Sequence, residues 1–254
     1  MRVHEPAISF VLEWLKEVRD SRETAPRVSR VALSHISALE ITPLDRPGSR
    51  DKAAALAEIR DRVASCARCP HLVRSRTQTV FGVGNPDAEL MFVGEAPGAD
   101  EDRLGEPFVG RAGQLLTRII ETMGLTRSDV YIANILKCRP DMPIGIAGNR
   151  PPTGSEMSTC ITYLIEQIEV IEPKVIVALG ATAVEGLLGA RGAMRELRGS
   201  WRSFRETPLM ITYHPSYLLR NQAQSERRKV WEDMLAVMER LDYAISDRQR
   251  SYFQ

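Results

Sequence analysis

"ELMFVGEAPGADEDRLGEPFVG", residues 89–110, begins with a short apolar run and breaks into a turn dense in glycine, proline and carboxylates. Apolar runs of this length bounded by turn residues read as strands buried on both faces. Three more follow at 130–135, 174–179 and 208–213, and helical patterns at 112–123, 155–171, 181–188 and 226–241 alternate with them. That alternation predicts an α/β fold with a parallel sheet covered on both faces. In such sheets ligands bind beyond the carboxyl ends of the strands. The glycine-rich turn leaves the first strand there, Asn134 ends the second, and "HPSYLLR" (214–220) follows the fourth. Three polar motifs, far apart in the chain, are therefore expected on one edge.

Upstream, "SRDKAAALAEIRDRVASC" (49–66) has the composition of a good helix and delivers the chain to Cys66. Further upstream, Ile8, Val11, Leu12, Leu15 and Val18 fall at helical spacing within 6–19, and residues 20–50 turn to the Ser, Arg, Pro and Thr of a loosely ordered connector. The expected organisation is an N-terminal extension over 1–50, a main domain over 51–245 and a tail over 246–254.

The chain of 254 residues is 43% hydrophobic, enough for a sizeable core, and its formal net charge of +1 advertises no polyanion partner in bulk. Nucleic-acid contact must then come from local clusters: Arg74 with Arg76, Arg139 with Arg150, Arg198 with Arg202 and Arg205, and the stretch from Arg220 to Lys229. No apolar stretch reaches the roughly 20 residues of a membrane span. The N-terminal "ISFVLEWL" (8–15) is short and interrupted by Glu13, so neither a membrane partner nor a signal peptide is expected and the protein is placed in the cytoplasm.

The four cysteines are Cys66 and Cys69 in "CARC", Cys138 in "LKCRP" and Cys160 in "MSTC". A reducing compartment argues against disulfides. Two thiolates separated by two residues grip one metal site, and two more from distant segments complete it. Spacing alone leaves zinc, a four-iron, four-sulfur cluster and four ordinary buried thiols open.

Taken together, "CARC", "TVFGVGNPDAELMFVGEAPGADED" (79–102), "GEPFVGRAGQLL" (105–116), "YIANILKCRP" (131–140), the later Cys160 and "YHPSYLLR" (213–220) resemble the family-four uracil-DNA glycosylases, the iron–sulfur members of their superfamily. The resemblance covers about residues 66–241. It implies a three-layer α/β/α sandwich with a four-stranded parallel sheet, a 4Fe-4S cluster held by the four cysteines, and removal of uracil from DNA. It also implies site residues. Gly94, Glu95 and Ala96 match the first active-site motif, Phe108 the aromatic platform, Asn134 the base-reading amide and His214 the histidine of the second motif. Glu95 and His214 are expected to be catalytic. Pro215, Ser216, Leu218 and Arg220 are expected against the DNA, with Leu218 or Leu219 filling the gap left by a flipped base. Ala96 cannot activate water as the aspartate of some relatives does, which leaves Glu95 as the nearest carboxylate. Asp100, Glu101 and Asp102 read as a helix start or a surface cluster. A monomer is expected.

Three rivals compete. A cluster-bearing redox sensor on DNA would not need Glu95, Phe108, Asn134 and His214 together. A nucleotide-binding enzyme could cite "VIVALGATAVEGLLG" (175–189), but its single Gly180 after the strand lacks the phosphate-binding glycine pattern and reads as tight strand-to-helix packing. A covalently trapping relative could use the extra residues of "DMPIGIAGN" (141–149), but that segment has no histidine and Asp141 as its one carboxylate. With Met142, Ile144 and Ile146 it reads as a flap over the pocket.

Overall fold

The computed structural model describes residues 51–142 and 148–253, so the N-terminal helix and connector, and the apolar centre of the 141–149 loop, lie outside the described residues. Six strands form one sheet: β1 (Val83–Gly84), β2 (Leu90–Gly94), β3 (Tyr131–Asn134), β4 (Val175–Leu179), β5 (Trp201–Phe204) and β6 (Thr207–Thr212), in the order β1-β3-β2-β4-β6-β5. The sheet is mixed, which corrects the four-stranded parallel sheet expected. Its middle, β3-β2-β4-β6, pairs parallel, and a short antiparallel strand is added at each edge. Sequence patterning misses both edges for a physical reason. β1 is two residues long, and β5 leaves Arg202 and Ser203 exposed, so neither carries a buried run.

Ten helices complete the body among the described residues: α1 (Lys52–Ala64), α2 (Pro70–Ser75), α3 (Ala99–Leu104), α4 (Arg111–Thr122), α5 (Gly154–Ile171), α6 (Ala181–Leu188), α7 (Met194–Leu197), α8 (Pro215–Arg220), α9 (Gln224–Arg240) and α10 (Asp247–Arg250). Alternation along β2 sends Met91 and Val93 to one face, where they pack with residues of α1, α2, α5 and α6. Leu90 and Phe92 go to the other, with α4 and α9. Both faces are thus apolar and covered, giving three layers.

Side-chain caps set where the helices begin. Asp51 accepts from Ala54 N at 3.1 Å at the start of α1. Thr153 and Glu156 cap α5 reciprocally, with Thr153 N donating to Glu156 at 2.7 Å and Glu156 N to Thr153 at 3.2 Å. The segment after 245 folds back onto the body: Trp231 Nε1 donates to Gln249 O at 2.7 Å, and Gln249 Nε2 donates to Thr122 O at 2.8 Å. Among the described residues, no helix is long and apolar enough to cross a membrane.

Candidate functional site

Beyond the carboxyl ends of β2, β3 and β6 lies a cleft of about 530 Å³, bordered by Glu95, Phe108, Asn134, Arg150, His214 and Arg220. The parallel register sets Gly94 beside Asn134. A Cβ on Gly94 would lie 2.4 Å from Asn134 Oδ1 and 2.4 Å from Phe108 Cζ, so the absence of a side chain there is what lets the amide and the ring approach each other.

Phe108 is buried and sits at φ +54°, in the left-handed region that a bulky side chain seldom adopts. The surrounding loop holds it there. Arg127 donates to Pro107 O at 2.8 Å and to Phe108 O at 3.2 Å. Glu101 accepts from Val109 N at 3.0 Å and Gly110 N at 2.9 Å through one oxygen, and from Gly98 N at 3.0 Å through the other. The acidic triplet is therefore the brace of this turn as well as a helix start. Asp102 is buried beside it, and both its oxygens accept from Thr77 N at 3.0 Å. Asp100 alone keeps the surface reading.

His214 faces Phe108, ring centroids 5.7 Å apart at 33°. Its Nδ1 accepts from Ser216 N at 3.1 Å and lies 2.8 Å from Ser216 Oγ. An accepting Nδ1 puts the ring proton on Nε2. Burial, with the Arg220 charge adding to it, pushes the imidazole down to about 4, so near neutral pH it is an uncharged Nε2–H donor.

Glu95 is half-buried at the cleft, and Thr182 Oγ1 donates to its Oε2 at 2.7 Å. Burial raises its pKa while the Thr182 hydroxyl pulls it back. Asn134 is 2% exposed, and its Oδ1 is the one buried side-chain polar atom without a hydrogen-bond partner among the described residues. An unpaired buried acceptor costs about 1–3 kcal/mol, so a donor belongs opposite it.

Of the residues expected against DNA, Ser216 and Arg220 border the cleft. Pro215 is buried and opens α8. Leu218 is a correction: it is 5% exposed and belongs to a core cluster with Tyr213 and Val230, so its side chain is committed to the core in this structure. Helical geometry turns Leu218 inward and leaves Leu219 only partly covered. Asp141, the carboxylate weighed as a covalent trap, is ion-paired to Arg150.

A second site lies behind the first. Cys66, Cys69, Cys138 and Cys160 line one small cavity and are all unpaired thiols. Arg76 Nη1 donates to Cys138 Sγ at 3.0 Å and Lys137 N to Cys160 Sγ at 3.2 Å, contacts that suit anionic sulfur. Burial pushes the Cys160 thiol up to about 11 and raises Cys69 and Cys138. Four convergent thiols of this kind become thiolates when a bound cation or cluster supplies the compensating charge, so the donor set fits a metal group. His71, Asp141 and Glu156 also cluster, but Arg150 occupies that cluster, pairing Glu156 at 2.7 and 2.9 Å. It is a closed ion-pair network.

Lys137 joins the two sites and was not legible in the sequence. Fully buried, its Nζ donates to Asn134 O at 3.0 Å and Gln167 Oε1 at 2.5 Å. Thr182 was missed for another reason: its contact with Glu95 spans 87 residues. Glu101 left a trace, standing three residues after the N-cap Gly98, where its carboxylate accepts from the Gly98 N–H as the acidic half of a capping box does.

The profile described as the Uracil DNA glycosylase superfamily matches residues 81–235. The type-4 uracil-DNA glycosylase of Thermotoga maritima is 46% identical over 181 residues, 69% of this chain and 89% of the relative. That of Archaeoglobus fulgidus is 40% identical over 194 residues, 70% of this chain and 92% of the relative. A type-5 uracil-DNA glycosylase of Pyrobaculum aerophilum is 31% identical over 190 residues, 62% of this chain and 81% of the relative. The motifs that converge on the cleft, together with Cys138 and Cys160, fall inside residues 81–235, and with these identities the chain belongs to the uracil DNA glycosylase superfamily, in its type-4 branch.

Proposed function

We propose that the protein takes uracil out of the DNA stack and hydrolyses its N-glycosidic bond, releasing free uracil and leaving an abasic site. The observation that carries this reading is the buried, unpartnered Oδ1 of Asn134, set against the Phe108 ring. Uracil offers N3–H to that oxygen and O4 to the amide NH₂, whereas cytosine presents the reverse pattern. Phe108 supplies the stacking face.

Bond cleavage develops negative charge on the departing base and positive charge on the sugar. His214, neutral and donating through Nε2, stabilises the charge growing on uracil O2. Glu95, anchored through Oε2, offers its other oxygen to the water or to the sugar cation. Ser216 and Arg220 meet the phosphates, and Leu219 replaces Leu218 as the side chain that fills the vacated stack. Cys66, Cys69, Cys138 and Cys160 hold a four-iron, four-sulfur cluster, which ties three segments of the chain together. With Asp141 engaged by Arg150, that carboxylate is not offered to trap the sugar, and the enzyme turns over as a monomer.

The test is incubation of the purified protein with uracil-, hypoxanthine- and thymine-containing oligonucleotides, scored for alkali-labile sites and free base. The uracil strand is expected to break under alkali and the thymine strand to stay intact. Absence of abasic sites in the uracil strand overturns the reading. So does a protein–DNA adduct that survives boiling in detergent.

A further inference from the structure

The start of α6 after β4, "GAT" at 180–182, is bland in the sequence yet touches both candidate catalytic residues. Gly180 sits at φ +88°, and a Cβ there would lie 2.8 Å from the Cβ of His214. Two residues on, Thr182 Oγ1 donates to Glu95 Oε2 at 2.7 Å. Glu95 itself follows β2, the neighbour of β4 in the sheet. The hydroxyl is the one hydrogen-bond donor to this carboxylate among the described residues, and Oε1 has no partner there. From this geometry we infer that Thr182 is a positioning residue of the reaction: its hydroxyl fixes one oxygen of Glu95, leaves the other to the cleft, and holds the carboxylate in its charged form. The inference rests on the glycosylase reading above and assigns Thr182 a function within it.

The electrostatics run the same way. Burial disfavours the charged carboxylate and the Thr182 hydrogen bond favours it, so removing the hydroxyl raises the pH at which Glu95 takes up a proton. The charged and titratable groups sharing the cleft are Glu101 from α3, Arg150 ahead of α5, and His214 and Arg220 from the β6–α8 segment. None of these donates a hydrogen bond to Glu95. Burial pushes His214 down to about 4 and pushes the Glu95 carboxyl up, so the two move in opposite directions.

The experiment is the pH profile of single-turnover uracil excision by the full-length holoenzyme and its Thr182→Val, Thr182→Ser and Glu95→Gln variants. DNA affinity and melting temperature are measured alongside. Loss of one hydrogen bond to a charged group is expected to move the acid limb of Thr182→Val up by about 1 pH unit. DNA affinity should stay within about threefold, because phosphate contacts supply it. Thr182→Ser should keep the wild-type limb, and Glu95→Gln should lose it. A Thr182→Val limb superimposed on wild type overturns the inference while leaving the glycosylase reading standing. A Glu95→Gln limb that is unchanged also overturns it. Should the valine variant melt before the assay temperature, Thr182→Ala is read against the same two outcomes. Wild-type protein that releases no uracil overturns the glycosylase reading first, and the inference with it.

Discussion

A methyl group at position 94 is the smallest change with the largest expected consequence. It would sit 2.4 Å from both Asn134 Oδ1 and Phe108 Cζ, and interiors packed to crystal density transmit such a push to the amide and the ring. Gly94→Ala should therefore lower single-turnover excision by about 100-fold, the cost of misplacing reacting groups by roughly an ångström. DNA affinity measured by anisotropy should change little. His214→Ala removes a donor aimed at the leaving base and should cost about 10²–10³ in rate. A variant with near-wild-type turnover would remove that role from His214. Asn134→Asp exchanges the amide donor for a second acceptor, so uracil excision should fall while discrimination against cytosine narrows, read as the ratio of the two rates. The residue types of this site were legible in the sequence. Their protonation was not, because the Nδ1 contact with Ser216 and the burial that carries His214 down to about 4 exist only after folding.

The elements show where periodicity informs and where it stops. Each of the four central strands and four of the longer helices carries a buried run or stripe, so their existence was readable. The short α2, α3, α8 and the edge strands carry too few buried residues to impose a period. Their positions come from contacts: Asp102 pins the chain at Thr77, and Glu101 draws residues 98, 109 and 110 around one carboxylate. The segment between β3 and α5 is tied in the same way, through Arg150 to Asp141 and Glu156, with His71 2.7 Å from Glu156. Arg150 holds the Glu156 carboxyl down to about 2. A depressed folded pKa contributes stability above the unfolded value of about 4.3, and that contribution is lost as pH falls through about 2. Glu156→Gln should consequently destabilise the protein at neutral pH by about 3 kcal/mol, as breaking a buried ion pair does. It should also flatten the loss of melting temperature between those two pH values. A variant that melts like wild type at pH 7 would show the network to be surface ornament.

At the scale of the whole molecule, two sites are linked by one short segment of chain. Asn134 of the cleft and Cys138 of the cysteine cavity are four residues apart in the chain, with Lys137 between them bonded to both neighbourhoods. The four cysteines span residues 66–160, somewhat under half of the described body, so a bound group there restrains three distant segments at once. Protein prepared anaerobically should be brown and contain iron. Stoichiometric zinc without iron in the same preparation would contradict the cluster assignment. Stripping the metal, or Cys66→Ser, should lower melting temperature and solubility more than it changes the preference for uracil over other bases, because the cavity shares no lining side chain with the cleft.

The sequence alone determined the layered α/β architecture, the edge of the sheet at which the motifs gather and the cysteine set, because these are written in periodicity, turn chemistry and spacing, while the superfamily came from the resemblance of its motifs to a known family. Tertiary structure alone decided which leucine of "SYLLR" faces the core, that Glu101 braces a loop instead of decorating a surface, that Asp141 is occupied by Arg150, and that Thr182 reaches Glu95 across 87 residues. Each of those depends on the partner met after the sheet has assembled. A local pattern fixes which way a backbone runs, whereas the neighbour of a polar side chain is set by register and packing between segments far apart in the chain.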